Sequence, residues 1–309
     1  MIKTLGLRKS FTTRHGTVDA VRGVDLTVDE GEIFGFLGPN GAGKTTTLRM
    51  LATLMKPDGG EATIAGVDLL EDPGEVRRRI GYVAQGGSTL DDSTAREELV
   101  LQARLYGVSK SEARARTARI LDSFQLTEYA ERKCKTYSGG QRRRVDIALG
   151  IIHEPKIVFL DEPTTGLDPQ SRAHMWDEVR RLRDEGMTIF ITTHYLDEAD
   201  ALCDRISIMD NGAIVASGTP ASLKKEISGD VVRVGVALPA AAAAALSDFP
   251  RVELHDDSVR LYVEDGATAI PLVIRALDSA GVALGTIELH RPSLDDVFLT
   301  KTGRSLREN

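Results

Sequence analysis

A glycine-rich loop stands between a short apolar segment and a helical pattern, and its residues are Gly38-Pro39-Asn40-Gly41-Ala42-Gly43-Lys44-Thr45-Thr46. Residues 33–37 before it predict a buried strand, and residues 44–54 after it predict a helix. The loop matches the phosphate-binding motif G-x-x-x-x-G-K-[ST], in which glycines let backbone N–H groups turn toward phosphate oxygens. In this motif Lys44 supplies charge to the β- and γ-phosphates, and the Thr45 hydroxyl is a ligand for Mg²⁺. The segment predicts an α/β fold that binds a nucleotide.

A second apolar segment, residues 157–160, ends in the two carboxylates Asp161 and Glu162. In open α/β sheets, ligands bind beyond the carboxyl ends of the strands, so we expect both side chains near the glycine-rich loop. Asp161 is predicted to hold Mg²⁺ through water, and Glu162 to orient the attacking water or accept its proton. The alternative interpretation is that the two acids only cap a helix that starts near Pro163.

A third motif, Ser138-Gly139-Gly140-Gln141, opens a predicted helix. A hydroxyl and free backbone amides at a helix start form a second anion site. One chain does not need two such sites for one γ-phosphate. Two chains arranged head to tail do need them, because Ser138 and Gly140 of one chain then meet the nucleotide on the loop of the other. With Tyr137 in the place of the usual leucine, this motif resembles the signature of the ATP-binding-cassette (ABC) family.

The resemblance to ABC proteins implies a P-loop cassette of the α/β class, with a RecA-like core, a helical subdomain and an antiparallel β subdomain. ATP and Mg²⁺ are the implied cofactors. By the same resemblance, Gln85 contacts Mg²⁺ and the water, Asp168 faces the site of a partner chain, and His194 lies near the γ-phosphate. Phe11 is the implied aromatic that stacks on adenine, and the alternative for it is a packed core phenylalanine.

Residues 1–225 are predicted to form the nucleotide-binding domain, with a helical block at about 88–150. The composition changes near residue 226, and residues 230–303 predict a small α+β accessory domain followed by a tail, 304–309. Within that domain the pattern predicts strands at 231–238, 258–263 and 284–290 and helices at 239–247, 267–280 and from 293.

The overall composition excludes several classes of protein. Of 309 residues, 46 are acidic and 39 basic, and aromatics are 5%, so no nucleic-acid partner is predicted. Two cysteines are too few for a disulfide framework. The N-terminus does not read as a secretory signal, and we expect no membrane span. The run of arginines 142–144 is interpreted as a solvated helix face, with a nucleic-acid contact as the alternative.

Two further segments narrow the resemblance. Residues 90–99 and 291–299 resemble those of daunorubicin/doxorubicin-resistance ATP-binding subunits of multidrug and antibiotic exporters. This implies an ATPase that powers export of a drug, antibiotic or lipid-like substrate through a separate polytopic membrane permease. A homodimer of ATPase subunits in a two-plus-two complex is implied, cytoplasmic and peripheral on the inner face of the membrane. The alternative is a soluble ABC ATPase that acts on the ribosome or on DNA.

Overall fold

The computed structural model describes residues 1–14, 16–227, 229–255 and 258–303, and the predicted tail, 304–309, lies outside the described residues. The chain divides into two compact units, Met1–Ser217 and the residues from Gly218 onward. In chain order, the first unit contains β1 (Ile2–Thr13), β2 (Gly16–Val28), β3 (Ile33–Leu37), α1 (Lys44–Leu51), β4 (Gly59–Ile64), β5 (Val67–Asp68), α2 (Pro73–Arg79), β6 (Ile80–Val83), α3 (Ala95–Leu105), α4 (Lys110–Ser123), α5 (Gly139–Ile151), β7 (Ile157–Asp161), α6 (Pro169–Asp184), β8 (Thr188–Thr193), α7 (Leu196–Leu202), β9 (Arg205–Asp210) and β10 (Ala213–Gly218).

A six-stranded sheet in the order β10-β9-β3-β8-β7-β6 forms the centre of this unit. Strands β9, β3, β8, β7 and β6 pair parallel with one another. Every residue of β3, β7 and β8 is buried, as expected for a parallel sheet covered on both faces. The rings of Phe34, Phe36 and Phe159 pack on Phe190 with centroids 5.5–5.6 Å apart. The strand order brings the carboxyl ends of β3, β8, β7 and β6 side by side.

A second, antiparallel sheet has the order β2-β1-β4-β5. Strand β1 pairs with β2 from Ile2 opposite Val28 to Thr13 opposite Gly16. The buried side chains of β1 and β2 share one hydrophobic core with those of α1 and β3. Helix α1 ends at Leu51, three residues before the predicted end, and Thr53 beyond it has a left-handed φ of 61°. The α/β class and the antiparallel β subdomain are therefore confirmed.

Helices α3, α4 and α5 occupy the predicted helical block. Helix α3 begins with a capping box, in which the Thr94 hydroxyl accepts from the N–H of Glu97 and the Glu97 carboxylate accepts from the N–H of Thr94. Ser109 caps α4 through one bond, in which its hydroxyl accepts from the N–H of Glu112. A left-handed Gly107 (φ 83°) lies in the turn between α3 and α4, where glycine avoids the cost of positive φ. Helix α3 packs on both α4 and α5.

The second unit contains α8 (Pro220–Ile227), β11 (Asp230–Val236), α9 (Pro239–Ala245), β12 (Arg251–Leu254), β13 (Ser258–Val263), α10 (Gly266–Ser279), β14 (Leu284–His290) and α11 (Leu294–Thr302). Its antiparallel sheet has the order β12-β13-β11-β14. Helices α9 and α10 pack on this sheet around a core that includes Val232, Leu261 and Val273. Strand β12 is additional to the predicted elements.

Helix α8 lies in the second unit, although the predicted boundary at residue 225 assigns most of it to the first. It packs on α11, and Lys301 Nζ lies 3.2 Å from Glu226 Oε2. The Leu223 side chain is buried. In the described part of the chain, no helix combines the length and apolar character needed to cross a bilayer.

Candidate nucleotide-binding site

The glycine-rich loop connects β3 to α1, and its backbone leaves no space for side chains at two positions. A Cβ on Gly43, which has a φ of 106°, would lie 2.3 Å from the carbonyl oxygen of Ala20. A Cβ on Gly38 would lie 2.3 Å from the carbonyl oxygen of Met209. Of the remaining loop residues, Pro39 and Ala42 are buried, Asn40 and Gly41 are exposed, and Thr45 and Thr46 are half-buried. The loop opens directly into α1, whose first N–H groups have no partner within the helix.

Lys44 folds back over this loop. Its Nζ donates to the carbonyls of Gly38 (2.7 Å) and Pro39 (3.1 Å) and lies 3.5 Å from Glu162 Oε1. Only 4% of Lys44 is exposed. Burial lowers the pKa of Lys44, while the charges of Glu162 and Asp161 act in the opposite direction. Among the residues that the structure describes, the Lys44 ammonium has only two carbonyl acceptors and one nearby carboxylate, so it is suited to bind an anion that enters the loop.

Thr45 and Asp161 meet at one point. Thr45 Oγ1 donates to Asp161 Oδ1 at 3.2 Å, and Thr192 Oγ1, at the end of β8, donates to the same oxygen at 2.7 Å. A hydroxyl and a carboxylate beside a phosphate loop are the oxygen donors that Mg²⁺ takes. No group of three or more His, Cys, Asp or Glu in the described ranges could hold a metal by itself. The donor set therefore fits a cation that is shared with phosphate and water rather than caged by protein.

Glu162 is the centre of the site. Its Oε2 accepts from Gln85 Nε2 at 3.0 Å and from Thr165 Oγ1 at 3.3 Å, and it lies 3.1 Å from His194 Nδ1. Its Oε1 faces Lys44, and 7% of the residue is exposed. Lys44, Gln85, Glu162 and His194, the four predicted catalytic residues, thus form one cluster.

The backbone at Glu162 is left-handed, with a φ of 44°. Its N–H donates to the Thr192 carbonyl at 3.1 Å and to Thr192 Oγ1 at 3.0 Å. Neither Asp161 nor Glu162 caps a helix, because α6 starts only at Pro169 and is capped by Asp168. The alternative interpretation, that these two acids only cap a helix, is therefore wrong.

The signature residues lie on a separate, exposed surface. Ser138 caps α5: its Oγ accepts from the N–H of Gln141 at 3.2 Å, and Gln141 Oε1 accepts from the N–H of Ser138 at 3.0 Å. A Cβ on Gly140 would lie 2.9 Å from Ser171 Oγ, and Asp168 accepts from that hydroxyl at 2.6 Å. Asp168 is therefore a neighbour of the signature segment, residues 138–141, which includes Gly139.

Within the described residues, no hydrogen bond or ion pair joins this signature surface to the glycine-rich loop. Phe11, the predicted adenine contact, is 37% exposed on β1 and belongs to neither hydrophobic core. Lys9 Nζ lies 5.8 Å from the centroid of its ring. The chain by itself thus brings together the predicted catalytic and metal-binding residues but not the predicted signature residues.

The interpretation of residues 142–144 as a solvated face is wrong for Arg143, which is 6% exposed. Arg142 is partly exposed, and Arg144 donates to the Phe124 carbonyl at 2.9 Å. The helical spacing contains a signal for this burial, because Arg143 lies four and eight residues before the buried Ile147 and Ile151, and so on the same face of α5. Thr165 contacts Glu162 and Thr192 contacts Asp161, although neither threonine is among the predicted site residues.

Comparison with known proteins covers both units. The ABC transporter family model matches residues 21–165, and the model for the C-terminal domain of DrrA1-3-like ATP-binding proteins matches residues 218–302. The daunorubicin/doxorubicin resistance ATP-binding protein DrrA of Streptomyces peucetius is 44% identical, over 98% of this chain and 92% of its own. The doxorubicin resistance ATP-binding protein DrrA of Mycobacterium tuberculosis is also 44% identical, over 96% and 92%.

Among solved structures, an ATP-binding cassette in a dimeric post-hydrolysis state bound to ADP and Pi is similar, with 29% identity and a TM-score of 0.65. The match covers 71% of this chain and 98% of that one.

Proposed function

The chain belongs to the ABC family as an ATP-binding subunit of the DrrA type, and on that premise we propose that it couples Mg²⁺-dependent ATP hydrolysis to export through a separate membrane permease. The reaction converts ATP and water to ADP and phosphate. The proposed cargo is a drug, an antibiotic or a lipid-like molecule. The names of the relatives, which refer to daunorubicin and doxorubicin resistance, support a drug or antibiotic.

The observation that carries this proposal is the convergence of Lys44, Gln85 and His194 on the Glu162 carboxylate. A module that only bound nucleotide would not need a carboxylate at this position. Three donors on one Glu162 oxygen fix the direction of the side chain. Such fixed geometry is what positioning of an attacking water requires.

We assign each residue a role in hydrolysis. Lys44 binds the β- and γ-phosphates, and Glu162 orients the water and accepts its proton. His194 and Gln85 hold the Glu162 carboxylate and face the γ-phosphate. Mg²⁺, held by Thr45 and Asp161, would neutralise charge on the phosphates. The adenine ring would stack on the exposed face of Phe11.

A second copy of the chain would complete each site. Ser138 and Gly139 are exposed, and Asp168 is beside them through Ser171. Because Ser138 already caps α5, the hydroxyl hydrogen and the first amides of that helix remain for an anion from outside the chain. The dimeric state of the similar cassette bound to ADP and Pi supports this arrangement. The proposal is a homodimer with two ATP sites.

A groove in the first unit supports the permease as partner. It has a volume of about 280 Å³ and is lined by residues on both sides of the Gln85 loop and on α3, among them Tyr82, Leu90 and Leu101. Leu90 is 59% and Leu101 55% exposed, and Leu105 on the same helix is 72% exposed. We propose that an amphipathic cytoplasmic helix of the permease binds here. In this proposal the chain is cytoplasmic and peripheral on the inner face of the membrane.

The test is an affinity purification of the Glu162→Gln chain with ATP from detergent-solubilised native membranes, read by mass spectrometry. The proposal predicts one polytopic membrane protein in stoichiometric amount. The matched control is the wild-type chain with ADP. In this state the two chains should separate, while the groove proposed to bind the permease is unchanged. Ribosomal proteins or DNA without a membrane partner would instead support the alternative of an ABC ATPase that acts on ribosomes or DNA.

A further inference from the structure

Arg143 lies at the junction of three segments of the catalytic site. Its Nε donates to the Pro163 carbonyl at 2.8 Å, its Nη2 to the Asp161 carbonyl at 3.2 Å, and its Nη1 to the Ala84 carbonyl at 2.6 Å. Pro163 and Asp161 are the two chain neighbours of Glu162, and Ala84 directly precedes Gln85. One guanidinium therefore holds the backbone on both sides of Glu162 and immediately before Gln85.

The residue between the two bonded carbonyls has a strained backbone. Glu162, at a φ of 44°, is not a glycine, and such a conformation is strained and persists only where the surroundings enforce it. The Arg143 bonds to the carbonyls before and after Glu162 supply such a restraint. The planar guanidinium suits this task because its donors point in fixed directions.

The partners of Arg143 argue against a purely electrostatic role. The side chain is 6% exposed, and its hydrogen bonds go to three backbone carbonyls, although the charges of Asp146, Asp161 and Glu198 also act on it. A buried cation with carbonyl partners costs free energy that an apolar side chain on the same helix face would not. Its neighbour on the helix, Asp146, accepts from the N–H groups of Ser88 (2.7 Å) and Thr89 (3.1 Å). Helix α5 thus holds the chain before Gln85 through Arg143 and after it through Asp146.

We infer that Arg143 is a positioning residue for ATP hydrolysis, which holds Glu162 and Gln85 in their reacting arrangement. This inference rests on the proposed ATPase function. Because the Arg143 guanidinium donates to backbone carbonyls, it would act through the backbone that carries Glu162 and Gln85. Ser138 caps helix α5, and Arg143 lies in the same helix. A movement of α5 would therefore shift Ser138, which is proposed to meet the nucleotide of the partner chain, together with Arg143, which holds Glu162.

The experiment compares Arg143→Ala and Arg143→Lys with Arg144→Ala in steady-state ATP hydrolysis by the full chain. Arg144 is the matched control, since it is an arginine on the same helix whose carbonyl partner, Phe124, lies in the helical block. For Arg143→Ala we expect kcat to fall about 100-fold, the effect of a misplacement near 1 Å, with little change in KM for ATP. Arg143→Lys should fall less, because an ammonium can reach some of the three carbonyls but not all in one plane.

Millimolar guanidinium provides a readout that a loss of folding would not give. It should partly restore kcat of Arg143→Ala by occupying the vacated space, and it should leave Arg144→Ala unchanged. The inference is overturned if Arg143→Ala keeps the wild-type kcat. It is equally overturned if its loss of activity comes with a matching loss of ATP binding and no recovery in guanidinium. Failure of the wild-type chain and of Arg144→Ala to hydrolyse ATP would refute the proposed function instead.

Discussion

Replacing Glu162 by glutamine separates the chemistry of this residue from its shape. The amide oxygen can take the place of Oε2 and still accept from Gln85, Thr165 and His194. The amide NH₂ then faces the ammonium of Lys44, where the native Oε1 lies 3.5 Å from Nζ. At an effective dielectric constant of about 20, that attraction is about 5 kcal/mol before the cost of desolvation.

The net effect without nucleotide is smaller, because Lys44 keeps two carbonyl acceptors. We expect Glu162→Gln to unfold with about 1–3 kcal/mol less free energy than the wild type. When Lys44 binds phosphate instead, this penalty disappears. The variant should therefore bind ATP about tenfold more tightly, which corresponds to about 1.4 kcal/mol.

Hydrolysis should change in the opposite direction. Loss of a general base lowers kcat by about 10²–10⁴-fold. Steady-state hydrolysis measures kcat, titration of a fluorescent ATP analogue measures the affinity, and urea denaturation measures the free energy of unfolding. Size-exclusion chromatography with ATP should in addition show a stable dimer. A kcat near that of the wild type would refute the role of Glu162, and weaker ATP binding would refute the reasoning about Lys44.

Four other substitutions test the signature surface, the glycine-rich loop and a buried carboxylate of α7. Ser138→Arg should leave ATP binding to the monomer intact but prevent the ATP-dependent dimer, because a long cation at the start of α5 blocks an approaching chain; a dimer of this variant with ATP on a sizing column would contradict the two-chain site. Gly43→Ala should abolish ATP binding and lower the melting temperature, since its Cβ would lie 2.3 Å from a backbone oxygen, whereas Gly41→Ala at a φ of 79° meets no atom within 4 Å and should cost only about 1 kcal/mol. Burial raises the pKa of Glu198, a fully buried carboxylate in α7, above its usual 4.5. The native state then binds the proton more tightly than the unfolded state, so the stability that the protonated carboxyl provides is complete below about pH 4.5 and falls as the pH rises from there through the raised native pKa. Glu198→Gln should therefore gain in melting temperature relative to wild type as the pH is raised above about 4.5, and a difference that does not change with pH would exclude the linkage.

The sequence predicts the centre of the fold well because the central strands are buried on both faces. Strands β3, β7 and β8 are continuous apolar runs that end in polar motifs, and a parallel sheet requires those ends to meet. The motifs therefore locate Lys44 and Asp161 correctly relative to each other. Strand β12 has only four residues and follows Pro250, and such a short edge strand carries too little alternation to be recognised.

Contacts made by the tertiary fold could not be predicted in the same way. The bonds from Gln85 and His194 to Glu162 join residues that are 77 and 32 positions away from it in the chain. The burial of Arg143 conflicts with the ordinary preference of arginine for solvent, and only its place on the apolar face of α5 indicates it. The boundary between the two units, at residue 217, follows from the packing of α8, with its buried Leu223, on α11. Amino-acid composition carries no information about such a contact between distant segments.

The division of the chain at Ser217–Gly218 also defines a site for recombination. Helix α8 and helix α11 come from opposite ends of the second unit and pack on each other, so a cut at residue 225 would divide this pair between two parents. A chimera joined at 217/218 would instead inherit each hydrophobic core whole from one parent. First and second units could then be exchanged between related chains. Assays of such chimeras would show which unit determines ATP hydrolysis and which determines binding to the permease.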